Sequence, residues 1–266
     1  MDIDALMFDY DGTLTKERHT IPENLQQTLR KLKEQSYTCT LNTGTPYPML
    51  SVKVGEQFTP NASMILEVGG RIVDSNGVNC YLKPFAQQEI AELDTLLGDD
   101  QIQLVAFTPT EGAEFYVYTQ DIARLQHKYR NHFPEQWIYH TQHELYEAMR
   151  AYGTVRVAIE GVDDHFQIPV NTSFSGSVLR NGRIYELTSY GVNKGEAIHR
   201  WAKIEHIAPS RIAIFGDNFN DLDMFRQPVG MKVQVGDSCP ELTPYATHHV
   251  EDAEELDTFL QETFLR

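Results

Sequence analysis

The stretch Ala5-Leu6-Met7-Phe8-Asp9-Tyr10-Asp11-Gly12-Thr13-Leu14 decides how the chain is to be read. Four apolar residues stop abruptly at a carboxylate, and a glycine follows to turn the chain. A short apolar run bounded in this way predicts a buried strand. Downstream, Thr20-Ile21-Pro22-Glu23 offers an N-cap, a proline near the first helical position and an early acid. Leu25, Leu29 and Leu32 recur at helical spacing, so a helix is expected to about Gln35. Tyr37 to Leu41 is a second apolar strand, broken at Asn42-Thr43-Gly44. Strand, helix and strand in succession predict a βαβ unit and a parallel sheet. A short helix near Tyr47 to Glu56 and a strand at Ser63–Leu66 continue the series. Gly69-Gly70 and Asn76-Gly77 then punctuate a small hairpin.

From about Lys83 the texture changes. Pro84 to Leu97 reads as a helix, and Gln101–Phe107 and Glu114–Tyr118 alternate like half-exposed strands. Helices are expected near Asp121–Arg130 and His143–Met149, and strands at Thr154–Ile159 and Ser173–Leu179. Asn181-Gly182 reads as a two-residue turn into Ile184–Leu187. From about Val192 the first texture returns. It brings a helix from Lys194 to about His206, a fully apolar strand Ile212–Phe215 ending at Gly216-Asp217, a helix near Leu222, a strand Val229–Val235 and a last helix from Ala253. The expected fold is α/β: a doubly wound, Rossmann-like parallel-sheet core, residues 1–82 and 187–266, interrupted by an α+β insertion, residues 83–186.

Composition narrows the function. The chain has 266 residues and a formal net charge of −16, which argues against a non-specific partner of nucleic acid or of an anionic membrane. No apolar stretch approaches the roughly 18 residues of a membrane span. Three cysteines, Cys39, Cys80 and Cys239, form no C-x-x-C pair, and the start Met1-Asp2-Ile3-Asp4 is acidic where a secretion signal is basic. A soluble protein of the cytoplasm is the expectation. By region, residues 1–82 carry −3, residues 83–186 carry −7 and residues 187–266 carry −6, with −5 of that in the last sixteen residues. The acidity therefore lies mostly away from the strand ends, and a metal and a lysine there can reverse the local potential.

In open α/β sheets ligands bind at the carboxyl ends of the strands, and four such ends are polar here: Asp9-Tyr10-Asp11-Gly12, Asn42-Thr43-Gly44, the approach to Lys194, and Gly216-Asp217-Asn218-Phe219-Asn220-Asp221. The chemistry these residue types suit is phosphoryl transfer. Asp9, Asp11 and Asp217 form a hard oxygen set of the kind Mg²⁺ prefers. One aspartate can attack phosphorus, and one two residues away can serve as acid and then base. The Thr43 hydroxyl, the Gly44 N–H and the Lys194 ammonium can neutralise the transferring group.

These four stretches, in this order, resemble the motifs of the haloacid dehalogenase superfamily of phosphohydrolases, and the long insertion resembles the α/β cap (C2B type) of its type IIB, Cof-like branch. The resemblance implies that Asp9 is nucleophile and metal ligand. It makes Asp11 the acid/base, which gives its main-chain carbonyl to the metal. Asp217 would be a metal ligand, with Asn220 and Asp221 holding metal waters or Lys194. It also implies a cap that covers the site and selects the leaving group. Three departures stand out: Thr43-Gly44-Thr45 where the branch has Thr-Gly-Arg, Glu67-Val68-Gly69-Gly70 without the usual Asn, and Val235-Gly236-Asp237 where Asn-Ala is common. None falls on the catalytic set, so altered specificity is the expected consequence. The function expected is a Mg²⁺-dependent phosphatase of small phosphorylated metabolites, sugar phosphates foremost, acting through an aspartyl-phosphate. A phosphomutase or phosphotransferase of the same fold is the alternative within this chemistry, and a catalytically silent regulatory module the alternative outside it.

Blander readings account for other eye-catching residues. His248-His249 cannot both face one metal from a strand. His132, His140 and His143 fall in the insertion and could line a pocket. Phe115, Tyr116 and Tyr118 read as sheet core, Cys39 as an ordinary buried residue, and Glu251-Asp252-Ala253-Glu254-Glu255 as acids stabilising a helix N-terminus.

Overall fold

The computed structural model of the protein describes residues 2–15, 20–97, 101–112, 115–128, 134–163, 165–168, 174–181 and 183–265. The chain divides into two compact units, one of residues 1–45, 49–81 and 193–266, the other of residues 82–192 with 46–48.

The first unit begins with β1 (Ala5–Phe8), α1 (Glu23–Glu34), β2 (Thr38–Leu41), α2 (Tyr47–Lys53), β3 (Met64–Leu66), β4 (Arg71–Val73) and β5 (Asn79–Leu82). The second contains α3 (Gln87–Leu97), β6 (Ile102–Thr108), β7 (Tyr116–Thr119), α4 (Ile122–Lys128), β8 (Ile138–Tyr139), α5 (Gln142–Tyr152), β9 (Arg156–Gly161), β10 (Ser177–Asn181) and β11 (Ile184–Thr188). The chain returns to the first unit with α6 (Lys194–Ile204), β12 (Ile212–Gly216), α7 (Leu222–Phe225), β13 (Met231–Val235), β14 (His248–Val250) and α8 (Ala253–Phe264).

Among the described residues the first unit is built on a five-stranded parallel sheet in the order β14-β13-β12-β1-β2. From β1 the chain winds outward to β2, and after the second unit it resumes on the other side of β1 at β12. The sheet order therefore reverses between β1 and β12, and the carboxyl ends of these strands are where open α/β sheets bind ligands. One face buries Met7, Ile212 and Ile214 against Ile198 and Trp201 of α6 and Phe225 of α7. On α1, Leu25, Leu29 and Leu32 are buried at helical spacing beside α8, each such leucine stabilising by about 1.5–3 kcal/mol. Phe8 and Phe215 stack with centroids 4.5 Å apart where β1 and β12 end.

The second unit carries a six-stranded sheet, β10-β11-β9-β6-β7-β8, antiparallel except between β7 and β8. Val105, Phe107, Val157, Ile159 and Leu187 pack against Ile90 and Leu93 of α3 and Leu145 and Met149 of α5. A capping box starts α5: the Glu144 N–H donates to Thr141 Oγ1 at 3.1 Å and the Thr141 N–H donates to Glu144 Oε2 at 3.1 Å. Phe115 is buried, and Tyr116 and Tyr118 pack on this core.

Local differences from the sequence reading have local causes. Helix α1 starts at Glu23, with Pro22 rather than Thr20 in the cap position and its carbonyl accepting from Gln26 N at 3.0 Å. Asn181 pairs with Ile184 and is the last residue of β10, so it belongs to the strand rather than to the expected turn, and Gly182 lies outside the described residues. Strand β8, absent from the sequence reading, is two residues long and shows no periodicity to detect. The expected strand and helix ends at 173, 114 and 129–130, like His132, lie outside the described residues. No described helix is long and apolar enough to cross a membrane.

Candidate active site

Asp9 is the first residue beyond β1, and its N–H donates to Phe215 O at 2.9 Å, which carries the β1–β12 pairing one step past the strand. Its carboxylate is buried. Lys194, the first residue of α6, is wholly buried and lies across from it. The Lys194 ammonium donates to Asp9 Oδ1 at 2.6 Å and to Asp221 Oδ1 at 2.7 Å. A cation at a helix N-terminus opposes the helix dipole, so these two carboxylates are what hold it there.

Beyond β12 the chain turns through Asp217-Asn218-Phe219-Asn220-Asp221. The second oxygen of Asp221 accepts from the N–H groups of Asp217 (3.0 Å) and Asn218 (3.1 Å), tying the loop back on itself. Asp217 Oδ1 accepts from the Thr13 hydroxyl at 2.9 Å, and the Asp217 main-chain carbonyl accepts from Ser238 Oγ at 2.7 Å. Gly12 has φ +92, and a Cβ there would lie 2.2 Å from Asp217 Oδ2. Only glycine lets the first strand loop approach this carboxylate.

Asp9, Asp217 and Asp221 bring carboxylate oxygens within 4.8 Å of one another. Asp221, expected in support through metal waters or Lys194, does hold Lys194, whereas Asp11 was expected beside Asp9 and Asp217. The Asp11 carboxylate is not in this group, but the residue is half-buried close by and its charge acts on Asp217. Asn220 is half-buried, its Oδ1 sequestered without a partner among the described residues. Thr43 is buried at the end of β2, where its N–H donates to Ile65 O at 3.0 Å and its Oγ1 accepts from Thr45 N at 3.1 Å. Gly44 is half-buried next to it.

The electrostatics are those of crowded acids. Burial holds the Asp9 carboxyl well above the usual carboxylate range; Lys194 opposes this, and the charges of Asp221 and Asp217 add to it. Burial, then the Asp221 charge, push Asp217 up to about 7, against the Thr13 hydrogen bond and Lys194. Burial alone would lower Lys194, but Asp221 and Asp9 outweigh it and the ammonium is held above its ordinary value. Three buried carboxylates share one ammonium, a deficit of positive charge that suits a divalent cation on an oxygen donor set.

Two contributors carried no sequence signal of their own. Thr13 stood inside the first motif without an assigned role, and the part of Ser238 depends on a contact across 21 residues. His248 and His249 are exposed on β14, with His249 Nε2 3.0 Å from Asp237 Oδ1. His140 and His143 are exposed, Cys39 is a buried free thiol, and Asp252 caps α8 by accepting from Glu254 N and Glu255 N at 2.8 and 3.0 Å.

Residues 6–262 match the family of haloacid dehalogenase-like hydrolases. The chain is 24% identical over 247 residues to the HMP-PP phosphatase of Klebsiella pneumoniae, covering 91% of this chain and 87% of that protein. Among solved structures, it shares the fold of an HAD-superfamily phosphatase from Bacteroides thetaiotaomicron at TM-score 0.79 and 18% identity, covering 98% and 94% of the two chains. A subclass IIB sugar phosphatase superposes at TM-score 0.79 and 16% identity, covering 97% and 98%.

Proposed function

The chain belongs to the haloacid dehalogenase-like hydrolases, and from that membership we propose that it is a phosphatase of small phosphorylated metabolites, with sugar phosphates the foremost class and Asp9 the residue that takes the phosphoryl group. The observation that carries this reading is the buried Lys194 ammonium, fixed 2.6 Å from Asp9 beside three gathered carboxylates. The reversal of sheet order between β1 and β12 puts that cluster where α/β folds bind ligands. The names of the similar proteins support a phosphate ester as substrate.

An Asp9 carboxylate oxygen attacks phosphorus, and the bond to the leaving oxygen breaks as Asp11 gives that oxygen a proton. Water then attacks the phosphoryl-aspartate, Asp11 takes its proton, and phosphate leaves with Asp9 restored. Lys194 holds Asp9 through one carboxylate oxygen and leaves the other for attack. The Lys194 ammonium, Thr43 hydroxyl and Gly44 N–H balance charge on the transferring group. Asp9, Asp217 and the Asp11 main-chain carbonyl would hold Mg²⁺, with Asn220 and Asp221 in support, and the ion would supply charge neutralisation between acid and phosphate. The second unit, read as a cap, is assigned the choice of leaving group. The cytoplasm suits an acidic chain whose three cysteines form no C-x-x-C pair.

Phosphate release from a panel of phosphorylated metabolites and from a generic aryl phosphate, with Mg²⁺, tests the reading. Hydrolysis that stops in excess EDTA is expected. Undiminished release in EDTA would overturn the metal assignment, and no release from any monoester would overturn the phosphatase.

A further inference from the structure

Asn42 follows β2 directly and is wholly buried. Its main chain is satisfied as strand: the N–H donates to Phe8 O at 2.8 Å, and the residue bridges in parallel to Ile65. An apolar side chain would serve the sheet at this position equally well. The amide instead donates from Nδ2 to the main-chain carbonyl of Lys194 at 3.1 Å, and the same nitrogen approaches Met7 Sδ at 3.6 Å. Its Oδ1 is buried with no partner among the described residues. A buried acceptor left unpaired destabilises a fold, so stability alone does not account for an asparagine here.

What the amide grips is the backbone of the residue that carries the ammonium. Lys194 stands at the unfavourable end of α6, fully out of solvent, and its Nζ has to lie within hydrogen-bond reach of Asp9 and Asp221 at once. The neighbouring residues of the helix start are held by other means. The Asn193 side chain accepts from Glu196 N at 2.8 Å. Gly69 sits so close that a Cβ would meet Asn193 O at 2.4 Å, and Gly195 so close that one would meet Asp223 O at 2.2 Å. Asn42 grips Lys194 itself, and it does so from the residue beside Thr43. One backbone step therefore ties the hydroxyl and the ammonium of the candidate site together.

We propose that Asn42 is a positioning residue: its side-chain amide, by holding the Lys194 carbonyl, sets where the Lys194 ammonium stands between Asp9 and Asp221. This rests on the reading of Lys194 as a group that neutralises the transferring phosphoryl.

The test compares Asn42→Leu, close in volume but without the donor, with Thr40→Val and Lys194→Ala. Thr40 is a buried residue of the same strand whose hydroxyl donates to Ser63 O at 2.6 Å, away from the carboxylates. Hydrolysis of an aryl phosphate, inhibition by orthovanadate as a mimic of the five-coordinate phosphoryl group, and thermal unfolding are measured for each. The kcat of Asn42→Leu is expected to fall on the order of tenfold or more. The vanadate inhibition constant should rise by a similar factor, and the melting temperature should stay level or rise. Thr40→Val should lose melting temperature and keep its vanadate affinity. Unchanged kcat and vanadate inhibition in Asn42→Leu, with Lys194→Ala inactive, overturn the proposal alone. So does a loss of activity that Thr40→Val reproduces in step with lost stability. Wild-type hydrolysis by Lys194→Ala overturns the reading of Lys194 and the proposal with it. If Asn42→Leu does not fold, Asn42→Ala is judged by the same measurements.

Discussion

Asp217 is buried beyond β12 with its carboxyl pushed up to about 7, burial being the largest cause and the Asp221 charge the next. Unfolded, the same group ionises near 3.8. Between about pH 4 and pH 7 the metal-free native protein therefore binds more protons than the unfolded chain. The stability tied to this group is fully present below that window and is lost as pH rises through it. Metal-free protein should melt at a lower temperature at about pH 7.5 than at about pH 5, Asp217→Asn should shrink that difference, and excess Mg²⁺ should do the same by favouring the ionised acid. Thermal unfolding scans across that range are the measurement, and an opposite slope in the metal-free wild type would refute the claim. Thr13→Val removes the 2.9 Å hydroxyl contact to Asp217. Loss of such a supporting bond typically weakens metal affinity about 10–100-fold, and a calorimetric Mg²⁺ titration would show it. Asp9→Asn keeps the shape and the loop but removes the attacking oxygen's charge. It should leave the protein folded, as circular dichroism would show, and reduce phosphate release by at least about a thousandfold.

At the scale of the element, the loop between β3 and β4 holds two adjacent side-chain-bearing residues in the left-handed region. Glu67 and Val68 have φ of +57 and +58, and Val68 is β-branched, a conformation that costs such a residue roughly 1–2 kcal/mol. The buried Glu67–Arg71 ion pair, 3.1 Å apart, spans this corner, and Gly69 follows with φ +95 against Asn193 O. Gly69→Ala should push on the start of α6, lowering both the melting temperature and kcat, because the added Cβ meets backbone rather than a yielding side chain. A melting temperature and kcat equal to wild type would show that the helix start is not wedged as described. This corner also marks where the sequence stops being legible. Buried strands ending in Asp9 and Asp217, and a helix opening on Lys194, were readable because apolar runs, turn residues and charge are local signals. The part of Asp221 beside Lys194 came with the resemblance, whereas its gathering with the carboxylates of Asp9 and Asp217 had no local signal, because it is aimed by N–H groups of a loop whose path no periodicity encodes. Thr13, Asn42 and Ser238 act through partners 204, 152 and 21 residues away, and long-range contacts leave no trace in a window of a dozen residues.

At the scale of the whole molecule, a chain of net charge −16 and an anionic substrate class have to be reconciled. Residues 83–186 carry −7 of that charge, against −3 for residues 1–82, which contain Asp9, Asp11 and Thr43. A small phosphate ester needs only the local field of Lys194 and a bound cation, because beyond about 10 Å at ordinary ionic strength the distant acids are screened. An acidic phosphopeptide extends past that distance and meets the unfavourable field of the chain as a whole. At low ionic strength kcat/KM for such a peptide should therefore fall well below that for a sugar phosphate, and added salt should raise the peptide value more. Steady-state phosphate release for both substrates across a range of salt concentrations measures this. A peptide value that falls with salt would mean that an attractive surface guides macromolecules to the site, and the restriction to small metabolites would have to be given up.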